Sequence, residues 1–271
     1  TLEAMKNHPH WNTPLEKPNC GRGVGVAFWV NGGAESACTI STNSDGTINL
    51  SEGSADIGGT RASIAMQAAE VLGIRAEDVH PAVVDTDSIA YTSGTGGSSV
   101  TFKTGWAAHD AAQDLKTQMM QRASVIWGVD PSSVFLENGV FQSNTDTELN
   151  MTFKELTSQL NNTGGPLVGR AAVNAGGVGG AFAGCITDVK VDPETGKVDI
   201  LRFTIVQDAG KAIHPSYVEG QMQGGVVQGI GMALNEEYIY NQKGIMENPG
   251  FLDYRMPVAS DLPMIDTVIV E

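Results

Sequence analysis

Positive charge is scarce in this sequence of 271 residues, with 16 lysines and arginines against 31 acidic side chains and a formal charge of −15. Nucleic acids and anionic membrane surfaces recruit proteins through a basic field, so this balance argues against both as partners. Charged residues of all kinds reach 17%, against a usual value of about 25%. No apolar run approaches the length of about 20 residues needed to span a bilayer, and no secretory signal is visible. Cysteine is sparse, with Cys20, Cys38 and Cys185 far apart and no CxxC or Cys/His spacing. A zinc or iron–sulfur site built from this chain alone is therefore not expected; reduced thiols in a cytoplasmic protein are. No Ser-His-Asp or Cys-His arrangement offers a nucleophile. The sequence opens on Thr1 with no methionine, which reads as a processed or excised piece.

Glycine is what the chain has in excess, at 33 residues, and its placement organises the sequence. Pro9, Pro14 and Pro18 fall in an opening stretch without periodicity, so residues 1–20 read as an extended arm. Residues 23–30 and 37–42 are apolar and β-prone, and Asp45-Gly46 is a hairpin signal leading to a strand over 47–51. Ile64, Ala68, Val71 and Leu72 share one helical face that ends at Gly73; Ala108, Ala111, Ala112, Leu115 and Met119 predict a second, longer helix. A strand over 79–84 lies between them, Asp130-Pro131 marks a turn, and Thr152 with Glu155 forms a capping box for a helix through Leu160. Strands at 183–191 and 198–206 then flank a turn at 192–196 and lead to a helix over 215–234. Hairpin, glycine-bearing loop and helix thus occur twice, as a weak internal repeat. The expected fold is a mixed α/β (α+β) architecture in two lobes, 21–163 with both glycine-rich loops and 164–271, divided near 161–166.

Both glycine-rich loops precede a helix, at Gly58-Gly59-Thr60 and from Gly96 to Thr101 (Gly96, Gly97, Ser98, Ser99, Val100, Thr101). A helix N-terminus offers unpaired N–H groups and a partial positive charge, so an acidic chain can still bind an anion through its main chain. The alternative is an ordinary turn with a Ser or Thr cap. Neither segment is a Walker A or a dinucleotide fingerprint. Lys103, Arg61 and Lys211 are the basic residues an anion there could recruit. Gly220, Gly224, Gly225, Gly229 and Gly231 lie along the 215–234 helix, each costing about 1 kcal/mol relative to alanine. Close packing or a ligand would offset that cost, and Gln221, Gln223 and Gln228 could address a heterocycle. Asp85 and Asp87 read either as a carboxylate pair or as turn-formers.

In order, these segments resemble the molybdenum-binding half of the xanthine dehydrogenase and aldehyde oxidase family, the molybdenum hydroxylases. The resemblance rests on Gly53-Ser-Ala-Asp-Ile-Gly-Gly-Thr60 with Gln67, on Ala69-Glu-Val-Leu-Gly-Ile74, and on Asp85-Thr-Asp87 before Gly94-Thr-Gly-Gly-Ser98. It continues through residues 189–197, Asp208-Ala-Gly210, 218–225 and Gln228-Gly-Ile-Gly231 to Asp253-Tyr254 and 259–263. Singly each is common; their order carries the likeness, over nearly all of the chain from Gly21. It implies the family's second molybdopterin-binding domain. The cofactor is then a molybdopterin with molybdenum, expected in its cytosine dinucleotide form. Gly58, Gly59 and Thr60 would lie near the metal, and Gly96 to Thr101 against pterin and phosphates. Asp208, Ala209, Lys211, Ile213, His214 and Gln221 would meet the nucleotide.

The resemblance also implies the reaction, hydroxylation of an N-heteroaromatic or aldehyde carbon with oxygen from water. Electrons pass to [2Fe-2S] and FAD centres on partner domains or subunits, and a first molybdopterin-binding domain completes the cleft. Many members carry glutamine where Gly59 stands, and asparagine where His214 stands. The family's general-base glutamate follows the stretch matching residues 267–271, so no catalytic residue and no metal ligand is expected here, and the chain alone should be inert. The competing expectations are a non-catalytic scaffold that lost its metal contact at Gly59, and a general nucleotide-phosphate module.

Overall fold

The computed structural model describes all residues from Thr1 to Glu271. Its elements are α1 (Leu2–Asn7), α2 (Pro9–Asn12), β1 (Cys20–Asn31), β2 (Ala34–Thr42), β3 (Ile48–Glu52), α3 (Thr60–Leu72), β4 (Val79–Val83), α4 (Thr86–Ile89) and α5 (Val100–Trp127). They continue with β5 (Val134–Glu137), β6 (Val140–Ser143), β7 (Asn150–Thr152), α6 (Phe153–Gln159), β8 (Val168–Ala175), β9 (Val178–Val191), β10 (Val198–Asp208), α7 (Pro215–Leu234) and β11 (Ile265–Val270). This is the mixed α/β fold the sequence predicts. No helix is long and apolar enough to cross a membrane.

The chain forms two compact units: a continuous one, Val30–Gly179, and a discontinuous one, Thr1–Trp29 with Gly180–Glu271. The division thus falls within β1 and β9, not at residues 161–166. The 161–166 stretch is instead a surface turn before β8, tied down where Arg122 donates to the Gly165 carbonyl at 3.2 Å. The first crossing, at Trp29–Val30, carries no proline, polar or glycine punctuation, and the second, at Gly179–Gly180, lies in glycines that continue a strand, so neither reads locally as a boundary.

In the continuous unit a four-stranded sheet runs β4-β3-β2-β8. The β2–β3 hairpin is antiparallel around Asp45-Gly46, where the Asp45 carboxylate accepts the Thr47 amide at 3.0 Å and Gly46 takes φ +94°. After α3 the chain returns so that β4 lies parallel to β3. Helices α3 and α5 cover one face. Ala107, Ala108, Ala111, Ala112 and Ala123 make α5 narrow, so it lies close on the sheet around Ile40, Leu50 and Leu115. A side chain at Gly169 of β8 would run into the α5 backbone at Ala111. The small sheet β5-β6-β7 follows, and α6 starts with the expected reciprocal cap between Thr152 and Glu155.

In the discontinuous unit the order is β1-β9-β10-β11. The hairpin β9–β10 is antiparallel, α7 follows, and β11 lies parallel to β10. Hairpin, helix and parallel return strand therefore occur once in each unit, which gives the weak sequence repeat a structural form. The opening residues are not an extended arm throughout: α1 and α2 dock on this sheet. Met5 packs on Ile186 and Val206, and the fully buried His10 ring contacts the Thr204 hydroxyl at 2.8 Å.

Candidate cofactor-binding site

The two glycine-rich loops belong to the continuous unit and lie side by side. The Ala55 amide donates to Thr95 Oγ1 at 3.2 Å, and Gln67 of α3 donates to the Thr101 carbonyl of α5 at 3.2 Å. Beneath them the hydroxyls of Ser54, Thr104 and Ser36 form a buried chain, with Ser54–Thr104 at 2.7 Å and Ser36–Thr104 at 2.9 Å.

The loops differ in how their helix starts are satisfied. At α3 the chain caps itself. Thr60 N–H donates to the Ile57 carbonyl, Arg61 N–H to Asp56 Oδ1 at 3.2 Å, and the amides of Ala62 and Ser63 to the Gly59 carbonyl. The Thr60 hydroxyl accepts from the Ile57 amide at 3.2 Å and is not free to replace a missing glutamine. Gly58 and Gly59 both hold positive φ, +60° and +82°, a conformation L side chains rarely adopt. Here the ordinary-turn reading describes the geometry well.

At α5 it does not. The amides of Gly97, Ser98, Val100, Thr101 and Phe102 donate to no acceptor in the chain; the first helical donor to find one is Lys103 N–H, on the Ser99 carbonyl. Ser99 does not cap the helix: its hydroxyl turns back and donates to the Gly96 carbonyl at 2.7 Å. Ser99 is 2% exposed and Val100 6%. Gly97 and Ser98 are exposed, so their amides are open to a ligand from solvent, and an acceptorless amide at a buried residue such as Val100 is costly unless something meets it. Gly94 and Gly96 leave open space where a side chain would stand. The left-handed backbone at Gly97 and Ser98, φ +62° and +53°, turns this run of N–H groups into a concave nest of the kind that suits anionic oxygens. The chain's donors thus fit an anionic group such as a pterin phosphate.

The basic residues flagged beside the loops are engaged elsewhere. Arg61 pairs with Asp56 at 3.3 Å and Lys211 with Glu271 at 3.6 Å. Lys103 is fully buried, and its Nζ donates to the carbonyls of Ser93 and Gly94 at 3.0 and 3.1 Å and to Ser93 Oγ at 2.6 Å. Burial pushes its pKa down, partly opposed by the Glu35 carboxylate. Asp85 caps α4 by accepting the Asp87 amide at 2.9 Å, so these two aspartates are turn-formers.

The third predicted segment belongs to the discontinuous unit. Asp208 Oδ1 accepts the Gly210 amide at 3.1 Å, Ala209 N–H donates to the Val270 carbonyl, and Ala212 N–H donates to Glu271 Oε1 at 3.2 Å. Glu271, just after β11, is thereby bound to the loop 208–212. Ile213 is half-buried. His214 precedes α7 with its ring stacked on Tyr217, centroids 3.7 Å apart. Gln221 is exposed and bonds to nothing in the chain, whereas Gln223 donates to the Ile265 carbonyl at 3.2 Å. Gly220, Gly224, Gly225 and Gly229 have nothing within 4 Å of a built Cβ, so no part of this chain packs on that face of α7.

The sequence offered no sign of two further features. A cleft of about 930 Å³ opens in the discontinuous unit between Lys197, Asp199, Leu234, Arg255 and Asp261; it includes none of the expected cofactor-binding residues, although Lys197 and Asp261 fall in segments that carry the resemblance. Glu52, 1% exposed behind the first glycine loop, has its carboxyl pushed up to about 7 by burial, while its bond from the Ser54 amide pulls the other way. No three His, Cys, Asp or Glu side chains cluster so as to hold a metal ion.

Comparison with known proteins shows the family and the fold. The xanthine dehydrogenase molybdenum-binding subunit of Escherichia coli O157:H7 is 32% identical over 270 residues, covering 94% of this chain and 36% of the relative. The nicotine 6-hydroxylase large subunit of Paenarthrobacter nicotinovorans is 27% identical, covering all of this chain and 36% of the relative. Among solved structures, quinoline 2-oxidoreductase from Pseudomonas putida 86 superposes with a TM-score of 0.81 at 24% identity, over 93% of this chain and 35% of that one. The chain therefore spans about a third of the length of the proteins it matches. The family model described as molybdopterin cofactor-binding domain matches residues 3–263, and the chain belongs to that family.

Proposed function

We propose that this chain is the part of a molybdenum-dependent hydroxylase that holds the pterin and phosphate end of its cofactor. One observation carries the reading: the amides of Gly97, Ser98, Val100, Thr101 and Phe102 face no acceptor of their own chain. These groups would bind pterin and phosphate oxygens. Gly58, Gly59 and Thr60 would shape the neighbouring wall beside the metal, the Thr60 amide being occupied already by the Ile57 carbonyl. Asp208, Ala209, Lys211, Ile213, His214 and Gln221 would receive the nucleotide, taken to be cytosine, with Gln221 holding a free amide for it. When bound, the molybdenum centre supplies the oxidation of an electron-poor carbon. This chain's residues orient the cofactor and exclude water around it. The general base and the other wall of the cleft come from elsewhere in the enzyme, with [2Fe-2S] and FAD centres to accept electrons.

The substrate on this reading is a small N-heteroaromatic or aldehyde, and the enzyme is cytoplasmic. Molybdenum and pterin analysis of the natively purified complex tests it: both are expected near one per chain, and their absence under molybdate-replete growth sinks the reading. The glycine at position 59 favours a second reading, a scaffold that has lost the metal contact. Gly97→Val separates the two, because a scaffold loses stability but has no cofactor to release.

A further inference from the structure

Lys103 is among the largest fully buried side chains in the protein, and the partners of its ammonium include no carboxylate. Its ammonium meets three oxygens, the carbonyls of Ser93 and Gly94 and the Ser93 hydroxyl. A buried cation with no carboxylate in contact, and only the Glu35 charge nearby, is costly, and replacing it with a methionine of similar shape would ordinarily relieve the fold. Its placement shows what it holds. The side chain leaves the first turn of α5 and reaches back ten residues to the start of the loop that precedes that helix, closing the loop into a ring. The rest of the loop is held at its other contacts. Gly32 N–H donates to the Gly97 carbonyl at 2.8 Å, Ser93 N–H to the Glu35 carbonyl at 3.1 Å, and Ala55 N–H to Thr95 Oγ1 at 3.2 Å. The acceptorless amides lie between these anchors.

We propose that Lys103 is the positioning residue of this amide nest, fixing the path of residues 93–99 before any cofactor arrives and placing a buried positive charge behind the N–H groups. This rests on the proposed function for what the nest binds, but not for how the loop is held. Such preorganisation lowers the ordering cost of binding, and a charge with no carboxylate in contact is one an anionic ligand would help to balance.

Hydrogen exchange on the cofactor-free chain tests the first half. In Lys103→Met the amides of Gly32, Ser93 and Ala55 should exchange at least about tenfold faster than in the wild type, while the β2 amide of Ile40 keeps its rate. Ser93→Ala, which removes one of the three oxygens at a partly exposed position, should move the same amides in the same direction by less. It decides the matter alone if Lys103→Met does not fold. Unchanged exchange at these amides overturns the proposal. The second half is read on the complex purified from cells with limiting molybdate. Molybdopterin retained by Lys103→Met, or by Ser93→Ala in its place, should fall at least about fivefold below wild type, and equal retention also overturns it. A wild-type complex without molybdopterin would instead sink the proposed function, and the exchange rates would still decide whether Lys103 organises the loop.

Discussion

The amide of Gly32 donates to the carbonyl of Gly97 at 2.8 Å, and a Cβ built on Gly97 would stand 3.3 Å from the Gly32 Cα. Gly97 also holds φ +62°. Position 97 therefore excludes a branched side chain twice, by space and by conformation. Gly97→Val should cost about 1–3 kcal/mol in thermal unfolding and lower the molybdopterin retained by the complex at least tenfold. Retention equal to wild type would remove the loop from the cofactor site.

Glycine on α7 behaves in the opposite way. Gly224 and Gly229 sit in helical backbone with open space around them. Gly224→Ala and Gly229→Ala should each stabilise this chain by up to about 1 kcal/mol, because alanine restricts the unfolded chain and meets no obstacle in the folded one. Lower melting temperatures for both would show that something packs against this face of α7.

These two cases show why the fold was easier to read than the site. Periodic alanines announced α5, and Thr152 with Glu155 announced the start of α6, because both signals lie within a few residues of their effect. In the sequence Lys103 reads as a cation beside a glycine loop, yet its direction depends on carbonyls about ten residues back and on burial. His10 stands among prolines that read as an arm, and its partners Thr204 and Asp188 lie almost two hundred residues away. Both glycine loops looked alike as sequence. Asp56 makes one of them self-sufficient, and nothing equivalent serves the other.

Glu52 gives the protein a pH dependence of unusual sign. Its folded pKa, about 7, lies above the ordinary glutamate value of 4.5, so its protonated form favours the fold. The stability it contributes is complete below about pH 4.5 and declines as pH rises through 7, by about 2–3 kcal/mol in all. Glu52→Gln should flatten that decline in denaturant titrations between pH 5 and 8. An unaltered slope would show that Glu52 is ionised in the folded protein.

His10 acts in the other direction. Burial, with the charges of Arg202 and Arg22, lowers its pKa below 6.5, while the neighbouring Asp188, itself held ionised by Arg22, raises it. The net shift is downward, so its contribution is present above about pH 6.5 and is lost as pH falls through the folded value. The half-exposed Trp11 next to it reports on α2. Its emission should shift to the red below pH 6 in the wild type. In His10→Gln the shift should no longer track that range, and an identical titration would assign it to Asp188.

A ligand gripped by peptide N–H groups is gripped by the path of the chain. Substitution cannot delete those donors, short of proline, and acid or base in the physiological range cannot discharge them. If the nest at residues 97–102 holds the cofactor as proposed, drift in the side chains around it can therefore be wide without loss of its donors. Damage to such a site arrives by bending the backbone, so the residues to watch are those that hold its course.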